Sequence, residues 1–360
     1  MCRQGGAAAP AENRPAASFC RGSRKSRNYT PERIRHGVLY GAQIGAWMIK
    51  YCINRLFRSL ISLTIIIAIV FCLLRLMPVE GYFTDYDKMS ETQITNALEK
   101  MGLNDPVPVQ LGRFYKQLLH GDLGVSNRYR VNYPIVKILA KKAPVSIRFG
   151  LMAMLISLPV GMLLGIVMAR KKNSWIDKFG TAYIVFIQAV PSAIYYLFMQ
   201  IYGSSLFGVS ILYNQEKVSS MILPVLSLAM PSIASYAMWM RRYMVDQENK
   251  DYIRMARAKG VPERAIGLNH VFRNAVVPMV QLIPSSLLLT IAGSIYVESL
   301  YSIPGMGGLL VDVIKRQDNT MVQALVIVYA VLSIFGLLLG DLLMAVVDPR
   351  ISLTKKGDAR

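Results

Sequence analysis

The chain has 360 residues, 53% of them hydrophobic and 17% charged, with a formal net charge of +20. A soluble domain carries about a quarter charged residues, so the composition excludes an ordinary water-soluble protein. The excess of 41 Lys and Arg over 21 Asp and Glu would suit nucleic acid, but the basic residues cluster at the ends of long apolar blocks, which is positive-inside topology, and no nucleic-acid partner is expected.

Residues 1–47 are rich in Ala, Gly, Pro, Ser and Arg without an apolar period, the composition of a disordered basic tail. They lack the apolar core and small-residue cleavage site of a secretory signal. Met48 opens MIKYCINRLFRSLISL, and translation from Met48, with 1–47 not native, is the expectation. The first span is read at 56–77, with Lys50, Arg55 and Arg58 holding its start in the cytoplasm.

Residues 79–142 are polar and too long for a turn, so a small extracytoplasmic subdomain is expected. Ser90 and Gln93 form a capping-box pattern before a helix that should stop at Gly102, and Pro106 can open the next helix, to about Leu119. His120 has no convergent ligands and reads as a surface residue. From Tyr133 to Lys142, Ile, Val and Leu alternate with Lys at helical spacing, which predicts a helix lying on the outer membrane surface.

The second span is read at 145–169, and Arg170, Lys171, Lys172 and Lys178 make the following loop cytoplasmic. The third span, 179–201, carries Pro191 and should kink there. The fourth, 221–240, contains Pro224 and Pro231. The fifth covers 278–300 and the sixth 321–347, with Arg350, Lys355, Lys356 and Arg360 keeping the tail 353–360 inside. The fold expected is an all-α polytopic membrane protein: six transmembrane helices, both termini cytoplasmic, within a membrane domain 48–352. Arg75, Arg148 and Glu298 fall near outer span ends, where Glu298 could neutralise either arginine. Asp341 lies toward the inner end of the last span, where a helix-partner role outweighs a proton relay.

Residues 241–277 form the longest basic loop. Asp251 to Ala258 has good helix propensity, Gly260 suits a helix C-terminus, and Pro262 with Glu263 suits the first turn of another helix. The pattern is helix, sharp turn, helix, on the cytoplasmic side: a knob for a soluble partner.

Through Tyr252, Arg254, Ala256-Arg257-Ala258-Lys259-Gly260 and Arg273-Asn274-Ala275, this stretch resembles the coupling loop of binding-protein-dependent ABC import permeases, in the oligopeptide/dipeptide/nickel branch. The family's Glu-Ala-Ala triplet is altered, Arg254 and Met255 standing at its first two positions, and Gly260 and Ala256 carry the match. Three further runs resemble the same branch: Gly121-Asp122-Leu123-Gly124-Val125-Ser126, then Glu298 with Tyr301-Ser302-Ile303-Pro304-Gly305-Met306-Gly307-Gly308, then Asp348-Pro349-Arg350. The resemblance covers about 48–352. It implies a permease that pairs with a second, homologous permease, with two ATPases that use ATP and Mg, and with an extracytoplasmic substrate-binding protein, in a bacterial or archaeal cytoplasmic membrane and in contact with its lipid. The residues that would couple to the ATPase are Arg254, Ala256, Arg257, Ala258, Lys259, Gly260, Val261, Pro262 and Glu263. Inner helices line the path in this family, and Gln188, Ser192, Gln281, Ser285 and Ser286 are the polar candidates for that lining. Peptide is the leading cargo and a nickel complex the alternative.

No GxxxxGK[ST], GxSxG, HExxH or CxxC occurs, and Cys2, Cys20, Cys52 and Cys72 show no metal spacing. No catalytic, cofactor-binding or metal-binding residue is therefore expected, and the chain is not read as an enzyme. An ion-coupled secondary transporter is the rival class, but it would normally carry ionisable residues at mid-membrane, where this sequence has few.

Overall fold

The computed structural model describes residues 31–83 and 86–347, with side chains from residue 52 onward except at 87, 291 and 345. The chain divides into two units, Met1–Trp47 and Met48–Arg360. The described part of the first is helical from Pro31, the opening of α1 (Pro31–Arg75), whereas composition alone leads to the expectation of disorder over 1–47. Pro31 and Glu32 suit a first helical turn, which that composition-based reading does not weigh. Residues 1–30, the motif Asp348-Pro349-Arg350 and the tail 353–360 lie outside the described residues.

Five described helical stretches are long and apolar enough to cross a membrane: Cys52–Arg75, Ile135–Arg170, Val218–Glu248, Glu263–Leu300 and Asn319–Met344. The expected third span is instead a pair, α5 (Trp175–Ala189) and α6 (Ser192–Phe207), bent by 110°. Pro191 causes a break rather than a kink. Its ring disfavours helical geometry at the preceding residue, and Val190 is extended at φ −87°, ψ 131°.

The surface helix expected over 133–142 is not separate. Residues from Ile135 onward belong to α4 (Ile135–Arg170), which runs through Pro144 and Pro159 for 36 residues, about 54 Å at 1.5 Å per residue and well beyond a ~30 Å hydrocarbon core. Its first turns bury Ile135, Ile138 and Leu139 against α12 (Met306–Lys315) and α13 (Asn319–Val347). The apolar edge that sequence assigns to lipid is covered by protein.

The fifth expected span is also divided. α10 (Arg273–Ile291) ends before Gly293, at φ +96°, and the short α11 (Ile295–Leu300) follows. Two tight helix pairs organise the bundle. α4 packs on α7 (Ile222–Glu248) and α10 on α13. Each contact uses a Gly-x-x-x-Gly face: a Cβ on Gly165 would stand 2.6 Å from the Ala237 carbonyl, and one on Gly336 2.9 Å from the Ser285 Cα. Without a hydrophobic drive between helices in lipid, close backbone approach at small residues holds such pairs together. α7 is central, with half of its most apolar stretch buried, whereas α1 has 11% of its own buried and leaves Leu56, Phe57, Leu60 and Leu73 exposed.

The polar segment between α1 and α4 contains α2 (Glu91–Lys100) and α3 (Val107–Leu119). Ser90 and Gln93 close the capping box that their spacing predicts, and Gly102 at φ +67° ends α2. A two-residue antiparallel ladder, β1 (Val125–Ser126) with β2 (Tyr133–Pro134), leads into α4. This segment is fastened by Asp318, fully buried at the start of α13. One carboxylate oxygen accepts from Ser126 Oγ at 2.6 Å and from the backbone N–H groups of Asn127, Arg128 and Tyr129 at 3.0–3.1 Å. The other accepts from Met321 N–H at 3.1 Å, which caps α13. The Arg128 guanidinium donates to the carbonyls of Glu80, Phe83 and Arg316.

Candidate functional site

The loop after α7 is built as the residue pattern requires. Lys250, extended, precedes α8 (Asp251–Ala258), which has Asp251 in its first turn and Arg257 in its last, both favourable to the helix dipole. Ile253 and Ala256, three residues apart on one face, are buried, whereas Tyr252, Arg254, Met255, Arg257, Ala258 and Lys259 are exposed. α8 then stops in a Schellman motif. Gly260 N–H donates to the Arg257 carbonyl at 2.9 Å and Val261 N–H to the Ala256 carbonyl at 3.2 Å. Gly260 sits at φ +74°, and a Cβ there would meet nothing within 4 Å. Backbone conformation rather than space therefore demands glycine. Pro262 precedes the single turn α9 (Glu263–Ala265), a π-helical stretch Ile266–Phe272 follows, and α10 continues it.

Beneath this knob Ile253, Ala256, Ile266, Val271 and Ala275 pack with Met240 and Met244 of α7 and Met279 of α10. The exposed face is tied by one arginine. Arg257 donates from Nε to Glu263 Oε1 at 2.7 Å and lies 3.4 Å from Glu248, so the end of α7, α8 and α9 meet at one guanidinium. The hydrogen bond and charge of Glu263 raise the Arg257 pKa above its ordinary value, and it stays charged at any physiological pH. Tyr252 Oη donates to Gln247 Oε1 at 2.8 Å and accepts from Asn274 Nδ2 at 3.0 Å, joining α8 to α10. The separate sequence runs at 252–260 and 273–275 are thus one hydrogen-bonded body. Arg254 projects freely apart from a 3.5 Å contact with Asp251. Beside the knob lies a cleft of about 260 Å³ bordered by Arg170, Glu248, Arg257 and Glu263.

A further joint has no counterpart among the sequence expectations. Arg241 of α7 makes a bidentate pair with the buried Asp177 of α5, at 2.6 and 2.8 Å, and Asp177 also accepts from Asn173 N–H at 2.9 Å. An acid in the first turn of α5, just after a basic loop, is the signal that could have located it. Through this pair, α7 is bolted to the first half of the bent helix pair.

The five polar residues expected on a path lie on α5, α6 and α10. Gln188 and Ser192 flank the break between α5 and α6, with Gln188 exposed and Ser192 half-buried. Gln281 and Ser285 face α13: the Gln281 side chain donates to Asp341 at 2.9 Å, and Ser285 packs on Gly336. Ser286 meets the Tyr236 hydroxyl of α7. Asp341 also pairs with Arg55 of α1, the helix-partner role read for it.

The expected neutralisation of Glu298 by Arg75 or Arg148 does not occur among the described residues. Glu298 is 2% exposed and accepts from Ser146 Oγ at 2.8 Å and from Gly307 and Gly308 N–H at 2.7 and 3.1 Å. Ser146 in turn accepts from Met306 N–H at 2.8 Å. Together they satisfy the first N–H groups of α12, so the carboxylate is held by a helix N-terminus rather than by an arginine. Arg75 lies instead over the rings of Phe71 and Tyr82, and Arg148 is exposed on α4.

Fold and loop together define a multi-pass helical membrane protein that presents a structured, basic helix–turn–helix between two of its spans. The chain belongs to the family of binding-protein-dependent transport system inner membrane components, whose pattern its residues 161–353 match; residues 48–138 match the N-terminal region described for such transport-system membrane components. It is 32% identical over 310 residues to the dipeptide transport system permease protein DppB of Lactococcus lactis, covering 85% of this chain and all of that one. It is 31% identical over 306 residues to the oligopeptide transport system permease protein OppB of Salmonella typhimurium, covering 84% and 99%. With the oligopeptide transport system permease protein AmiC of Streptococcus pneumoniae the identity is 38% over 211 residues, 58% of this chain but only 42% of that relative's length.

Proposed function

We propose that this chain is the permease subunit of an ATP-binding-cassette importer in a bacterial or archaeal cell membrane, forming with a second, homologous permease the path for di- and oligopeptides. An extracytoplasmic binding protein delivers the peptide, and two partner ATPases consume ATP with Mg. Both termini are cytoplasmic, and residues 79–142 form the extracytoplasmic subdomain, the last of them as the first turns of α4. The observation that carries this reading is the α8–Gly260–α9 knob: exposed and basic on its outer face, apolar beneath, and continuous with α7 and α10. Relatives named as dipeptide and oligopeptide permeases favour peptide over a nickel complex as cargo.

Each step falls to residues already described. ATPase closure presses on Arg254, Ala258, Lys259 and Pro262. The Met240–Ile253–Ala275 cluster moves with the knob because tightly packed interiors transmit rather than absorb displacement. α7 carries the motion to α4 through Gly161 and Gly165, and to α5 through Arg241–Asp177, so the bent pair at Val190–Pro191 shifts and one face opens as the other closes.

The test is ATP-dependent uptake of labelled peptides of graded length in cells with and without the chain. Uptake should vanish on deletion and return with the intact gene. Gly260→Pro cannot adopt φ +74°; it should insert normally yet abolish uptake. Normal transport by that variant would remove the knob from the mechanism.

A further inference from the structure

A second polar constellation lies away from the knob, where the end of α1, the segment after it, and α13 meet. Arg75 Nε and Nη1 and Gln323 Nε2 are buried without a hydrogen-bond partner, and the buried Tyr82 hydroxyl has none beyond the Arg75 guanidinium beside it. Tyr82 is 8% and Gln323 6% exposed. All three side chains border one cleft of about 390 Å³, whose walls include Phe114, Leu123 and Lys100 and, among the described residues, no acidic one. Native proteins rarely leave a buried donor unmade, because desolvating it costs more than its bond returns. Here the unmade groups converge, every one of them can donate, and one is a guanidinium held in place by stacking on Phe71 and Tyr82 at 4.7 and 5.2 Å. Water could satisfy the hydroxyl and the amide, but a partly buried guanidinium that meets no acidic side chain among the described residues calls for a counter-charge.

We propose that this cleft binds a phosphate oxyanion, with Arg75, Tyr82 and Gln323 as its donors and Lys100 at its rim. Position favours a phospholipid head group as the source. Arg75 ends a 24-residue apolar stretch of α1, about 36 Å of helix, which sets it at head-group depth. That helix is the least covered of the candidate spans and turns its apolar side chains outward. The site would tie the outer segment to lipid at its junction with α13, and it holds whatever cargo the permease carries.

Native mass spectrometry of the purified transporter, delipidated and then titrated with dioleoylphosphatidylglycerol, tests this, with inorganic phosphate binding measured in parallel. The intact chain should retain one lipid that Arg75→Gln and Gln323→Leu each weaken about tenfold, as expected for a hydrogen bond to a charged group. Arg75→Lys should retain part of it. Gln323→Leu leaves the Arg75 stack untouched, so a folding defect in Arg75→Gln would not decide the result. Lipid retention equal in all forms, with phosphate binding lost in the two weakened variants, would keep the oxyanion site and assign it to the free ion. Equal lipid retention and no phosphate binding by any form would overturn the proposal and leave a water-filled cleft.

Discussion

The two ends of the bundle are fastened in opposite ways. At the segment between α1 and α4, Asp318 is fully buried and gathers five donors from β1, the turn after it, and α13. At the α7–α10 loop, Arg257 is 41% exposed and holds two carboxylates, those of Glu248 and Glu263, that are themselves in water. A buried carboxylate surrounded by backbone amides cannot let go without leaving several groups unsatisfied. An exposed ion pair can break and re-form at little cost. The first suits a fixed platform and the second a part that must move under load.

The largest effect should come from Asp318→Ala. It strands the Asn127, Arg128 and Tyr129 amides at about 1–3 kcal/mol each, so the purified transporter should melt far lower or fail to accumulate, whereas Arg257→Ala should leave its melting nearly unchanged. Equal shifts in thermal scans of the two variants would break the comparison. Next in size is Gly165→Val, which drives a side chain into the Ala237 carbonyl of α7; overpacking of about 1–3 kcal/mol should reduce assembled protein, measured as the yield of complex after detergent extraction. The smallest effect on stability should come from Arg257→Glu. Its consequence should appear in transport instead, as reduced peptide uptake with melting preserved, and adding Glu263→Arg should restore part of the uptake. No recovery in the double variant would mean that the guanidinium acts on the partner rather than on α9.

Local chemistry was legible in the sequence and long-range pairing was not. Ser90 with Gln93, Pro106 and Gly102 fixed α2 and α3 by interactions within a few residues, and Gly260 with Pro262 fixed the knob in the same way. Pro191 was visible, but a kinked span and a broken one share that signal, and only the extended Val190 separates them. Ile135, Ile138 and Leu139 form an apolar edge whether lipid or α12 covers it. The partners of Glu298 and Asp318 come from Ser146 and Ser126, about 150 and 190 residues away, and no local pattern announces them. The Gly-x-x-x-Gly runs at 161–165 and 336–340 lie at the two main helix contacts, but small residues at that spacing do not name the helix that will pack on them.

The most direct measurement is site-specific photo-crosslinking from position 259, at the tip of the knob, in membranes that contain the whole transporter. A photoreactive residue replacing the exposed Lys259 should yield an adduct with the partner ATPase that changes in amount when ATP is added. A control at Leu73, on the exposed flank of α1, should give none. Adducts at 259 with lipid alone, or an ATPase adduct from Leu73 and not from 259, would contradict a coupling role for the α8–Gly260–α9 knob.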